Sequence, residues 1–181
     1  PHWQYGDNFL NHMQWHHGLY HYGRADYDTV LSIYDQYLSS ALDDDFYLDT
    51  CNASSLLWRL NIKGIDTGDR WQHLYKLCKH RVEDDELVFC SLHYLMAPAV
   101  VKDQLTIDKS LTHFENWRKQ STTQGEVANT VGAGLAQAIV DLAAGNRNQG
   151  AASLARLRGD VKHIGGSWAQ RQLFKDLQEY Y

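Results

Sequence analysis

The stretch NHMQWHHGLYHYG, residues 11–23, holds four histidines, a tryptophan and two tyrosines. His12 and His16 are four residues apart, so on a helix they share a face and could chelate a metal such as zinc. The pattern is not HExxH, because Met13 stands where that motif has its glutamate base. A third ligand must come from elsewhere. His93 is the first candidate and Asp49 the next. A zinc ion on His12, His16 and His93 could activate water for hydrolysis or deamination. The competing reading is a hydrogen-bonded histidine pair packed beside Trp15. It is the favoured one, and on it no cofactor is expected. At about 100° per residue, His12, Trp15, His16 and Leu19 fall in one arc, while His17 and His21 fall opposite and are read as solvated.

Two arginines extend the set. Arg59 in SLLWRL lies beside an apolar face, where it could clamp a carboxylate or phosphate. Binding to helix carbonyls or a local acid is the commoner use. Gly165, Gly166 and Ser167 precede the last helical segment and could present an anion site there, with Arg171 close by. The favoured reading is a capping box of Ser167 and Gln170. No nucleophile elbow, dinucleotide fingerprint or phosphate loop occurs in the sequence.

The elements that must position these residues are helices. Only two prolines occur, and helical spacing of apolar residues runs almost throughout. Start and stop signals predict about nine segments. The first spans about Asp7 to Tyr22 and stops at Gly23. The second begins near Asp26, and the third covers Asp49 to Ile62. Trp71, Leu74 and Cys78 mark the fourth. Phe89, His93 and Met96 mark the fifth, which Pro98 should kink or end. Asp108 is expected to cap the sixth. The Gly/Ala-rich seventh, about Val127 to Ala144, invites close helix approach. An eighth spans about Gln149 to His163, and the last follows Ser167. The segment around Gly23 echoes the one around Gly145: helix, glycine, short polar turn, helix. The predicted fold is all-α, with antiparallel helical hairpins in a TPR-like right-handed solenoid over residues 1–181 as one domain. A compact helical bundle is the alternative.

At 44% hydrophobic content, 181 residues can bury a real core. The net charge of −5 argues against a general nucleic-acid binder. Three cysteines without CxxC spacing read as reduced and buried, consistent with the cytoplasm. No apolar run is long enough for a membrane span.

HMQWH (residues 12–16), SLLWRLNIKGIDTGDRW (55–71), FCSLHYLMA (89–97) and GGSWAQRQLF (165–174) follow in this order. Together they resemble the tetratricopeptide-repeat protein thirty-eight family over nearly the whole chain, matching the C-terminal part of longer members. The matching positions include His12, Trp15, His16, Arg59, Gly64, Gly68, Arg70, Trp71, His93, Met96, Gly165, Gly166, Ser167, Gln170 and Arg171, with Trp58 inside the second motif. The sequence departs at Gln172, where the family tends to have Asp. The resemblance implies a repeat-like helical fold and singles out His12, His16, Arg59, His93 and Arg171 as one candidate polar pocket. It transfers no activity. The expected function is a helical-repeat scaffold that binds a protein or peptide on a concave surface; a metal-dependent hydrolase-like enzyme is the alternative. A first helix lacking its stacking neighbour would also favour a homodimer.

Overall fold

The computed structural model describes residues 8–180. Asp7, the expected start of the first helix, lies outside them. Among the described residues every regular element is helical. The chain divides into two compact units, residues 1–70 and 71–181.

In the first unit, α1 (Asn8–Gly23) turns into α2 (Tyr27–Ile33). The chain then runs through a π-turn (Tyr34–Leu38), the short α3 (Ser39–Ala41) and a 3-10 turn (Leu42–Asp44) before α4 (Tyr47–Ile62). Asp26 caps α2 by accepting from the Thr29 amide. The left-handed residue of the α1–α2 turn is Ala25, at φ 58°, rather than Gly23. Arg24 N still donates to His21 O, so Gly23 stays helical and the reversal falls two residues later. α1 packs on both α2 and α4. Every residue of α4 from Asp49 to Leu60 is buried. A helix buried all round must find internal partners for its polar side chains.

α5 (Arg70–Cys78) straddles the boundary between the units. The second unit continues with α6 (Val88–Val101), α7 (Gln104–Trp117), α8 (Thr123–Val127) and a π-turn (Ala128–Gly132). α9 (Ala133–Ala143), α10 (Arg147–Leu157), a 3-10 turn (Val161–Ile164) and α11 (Trp168–Tyr180) follow. Pro98 does not end α6, which runs on to Val101 and closes at the left-handed Lys102. Packing holds that last turn, since α6 is buried from Val88 to Ala99. Asp103, not Asp108, caps α7, accepting from Thr106 N. The chain re-enters a helix directly after Lys102, and Asp108 instead accepts from Gln104 on the α7 surface.

α9 and α10 form a tight hairpin, as the Gly/Ala-rich sequence predicts. A Cβ on Gly134 would sit 2.8 Å from Leu157 Cδ1, and one on Gly150 would sit 2.6 Å from Leu142 Cγ. Cys51, Cys78 and Cys90 are all buried. Among the described residues no helix is long and apolar enough to cross a membrane.

Candidate functional site

His12, His16 and Arg59 meet in the first unit, around Trp15. Positions 49, 52, 55 and 59 advance by three or four, which puts Asp49, Asn52, Ser55 and Arg59 on one face of α4. That face meets the Trp15 side of α1. Trp15 Nε1 donates to Ser55 Oγ at 3.0 Å, and Ser55 Oγ donates in turn to Asn52 O at 3.1 Å. Asn52 Nδ2 lies 3.3 Å from His12 Nδ1. An amide nitrogen can only donate, so this His12 nitrogen accepts and carries no proton. Arg59, 2% exposed, donates from Nη1 to Ser55 O at 3.2 Å and stands 5.9 Å over the Trp15 ring. It therefore takes the carbonyl-binding role and is closed to a ligand from solvent. His12 stacks on Trp15 at 5.3 Å, and His16 meets Trp15 and His12 edge-on, at 4.8 Å each. Burial, then the neighbouring His12, lowers the pKa of His16.

Asp49 is the buried acid of this seam. It is 0% exposed, and among the described residues neither carboxylate oxygen makes a hydrogen bond of ordinary geometry. Burial raises its pKa to about 6, opposed by the Asn11 side chain and assisted by Asp44. No three His, Cys, Asp or Glu side chains among the described residues are grouped to hold a metal ion. Of the candidate set His12, His16 and His93, the first two lie in this seam and the third in the second unit.

His93 and Arg171 belong to the second unit. His93 Nδ1 lies 2.7 Å from Phe89 O. A carbonyl only accepts, so Nδ1 carries the proton. The ring packs against Phe89 at 4.4 Å and Phe174 at 6.3 Å. Arg171 donates to the carbonyls of Gly165 and Gly166. Those glycines have φ of 87° and 72°, a conformation that favours glycine at both positions. The capping box forms as expected: Ser167 N donates to Gln170 Oε1 at 2.7 Å, and Gln170 N to Ser167 Oγ at 3.3 Å. The Trp58 and Trp71 side chains are core.

The sequence reading missed two features. The first is a cleft of about 260 Å³ where α10, the Val161–Ile164 turn and α11 converge. Arg158, Lys162, Arg171 and Lys175 line it with Trp168 and Phe174, and among the described residues no Asp or Glu does. Its signal was the run of basic residues at helical spacing after Arg156. The second is on the other face of α1. His17 and His21, read as solvated, approach to 3.1 Å between their Nε2 atoms, and His21 Nδ1 lies 2.8 Å from Asp26 Oδ2. The i, i+4 spacing of these histidines carried that signal, followed five residues later by an N-cap aspartate. No protein-family model matches the chain, and no solved structure matches it.

Proposed function

We propose that the chain is a helical-repeat interaction module that takes an acidic peptide segment into the cleft beside α11. The observation that carries this reading is four cations around one cleft without an acid among its described residues, in a chain whose net charge is −5. Local cationic walls attract carboxylates and speed their encounter even on an acidic protein. Arg171 is fixed at the wall by the Gly165 and Gly166 carbonyls. Lys175 also faces Glu179 at 3.5 Å, an exposed pair that competes weakly with a ligand carboxylate. Trp168, 72% exposed, offers the kind of aromatic surface that dominates binding energy once covered. Leu154 and Phe174 supply an apolar floor. The fitting occupant is therefore an acidic segment with one apolar anchor. Helix hairpins that present peptide-binding surfaces are the habit of repeat proteins, which the sequence motifs resemble.

Anisotropy of a labelled Asp/Glu-rich peptide carrying one Leu or Phe tests this. Binding should weaken with salt. The Arg158→Glu/Lys162→Glu pair should lower affinity about tenfold or more, since 1.4 kcal/mol is a factor of ten, and Trp168→Ala should weaken it too. Unchanged binding after charge reversal, or equal binding of a basic peptide with the same anchor, would reject the reading.

A further inference from the structure

On the side of α1 away from Trp15, His17 and His21 bring their Nε2 atoms to 3.1 Å, with ring planes at 70°. One helical turn separates them, so both project from the same face. Behind His21, Asp26 Oδ2 lies 2.8 Å from Nδ1. The carboxylate accepts, so the proton of neutral His21 sits on Nδ1 and Nε2 presents its lone pair toward His17. Asp26 is itself fixed as the cap of α2, its Oδ1 accepting from Thr29 N at 3.4 Å. A carboxylate that orients an imidazole from behind is the usual outer support of a metal-binding histidine. The His17–His21 contact is exposed, so solvent ligands can reach it.

We propose that His17 and His21 form a bidentate site for a divalent transition metal such as zinc, with Asp26 as its outer carboxylate and water completing the coordination. Zinc placed about 2.0–2.1 Å from both nitrogens would subtend about 100° at the observed separation, close to tetrahedral. Binding moves the His17 proton from Nε2 to Nδ1 through exchange with solvent, and both Nε2 lone pairs then face the ion. The other histidine pair on α1 is less suited, because His12 Nδ1 faces the Asn52 amide nitrogen, a donor, and not a carboxylate that would accept the N–H of a metal-bound imidazole.

Full-chain protein made without a histidine tag is titrated with zinc chloride against a chromogenic zinc chelator. The wild type should hold one zinc per chain. His17→Ala and His21→Ala should each weaken binding about tenfold or more. Asp26→Asn retains a good N-cap residue and should weaken it about tenfold, the lower end for loss of an outer-shell partner. His12→Ala should bind like the wild type. Melting curves of the metal-free variants report folding separately, and zinc should raise the melting temperature of the wild type and of His12→Ala but not of His17→Ala. Zinc binding unchanged in His17→Ala and His21→Ala, binding lost instead in His12→Ala, or no competition by the wild type would overturn the proposal. None of these readouts involves the cationic cleft, so the peptide reading stands or falls separately.

Discussion

Burial holds the Asp49 carboxyl at about 6, against about 3.9 for an unfolded aspartate. Between those values the folded chain binds more protons than the unfolded one. Stability therefore falls as pH rises from about 4 through 6 and stays lower above that window. This is the reverse of a salt-bridged carboxylate, and the cause is visible: a fully buried side chain whose oxygens lack well-formed bonds among the described residues. Asp49→Asn keeps the shape and removes the charge. It should stabilise the protein by about 1–3 kcal/mol at pH 7 and by far less at pH 4. Urea unfolding at the two pH values measures the difference. A variant equally destabilised at both would mean that the carboxylate has a partner whose loss outweighs its desolvation.

At the scale of elements, the α9–α10 hairpin depends on side chains that are absent. Replacing Gly150 by Ala would gain about 1 kcal/mol of helix propensity. The new methyl would lie 2.6 Å from Leu142 Cγ and 3.2 Å from the Ala138 carbonyl oxygen, and overpacking of that kind costs about 1–3 kcal/mol. The carbonyl belongs to backbone and cannot rotate away. A net loss of about 1 kcal/mol is expected for Gly150→Ala. Adding Leu142→Ala should make the pair less destabilising than the sum of the single changes, because the small side chain makes room for the methyl. Additive effects in a denaturation cycle would show that Leu142 is not the obstacle. The Gly/Ala pattern made this close approach readable in advance. Helix boundaries were less so. Asp103 and Asp108 are both acceptable caps, and the choice fell to the left-handed Lys102, a conformation that a lysine does not announce. Ala25 hides the α1–α2 reversal for the same reason.

For the whole molecule, the helical class and most helix positions were legible because apolar residues recur at helical spacing nearly everywhere. The boundary between the two units was not. His12, His16 and Arg59 belong to one unit and His93 and Arg171 to the other, and none of the sequence motifs marks the boundary after Arg70. The polar seam was half legible. Its histidines stood out, whereas Asp49, Asn52 and Ser55 are ordinary residue types whose shared face matters only because α4 is buried on every side. That burial gives a prediction for hydrogen exchange. Each unit has one helix enclosed over some twelve residues, Asp49–Leu60 in α4 and Val88–Ala99 in α6. Water reaches their amides only when much of the surrounding unit opens, whereas half-exposed helices such as α10 open locally. The central amides of α4 and α6 should therefore be the slowest to exchange, and adding denaturant should speed them as steeply as it shifts unfolding, while α10 amides respond weakly. If α4 exchanged as fast as α10, the polar seam would be opening without the rest of its unit, and Arg59 would be reachable by a ligand after all.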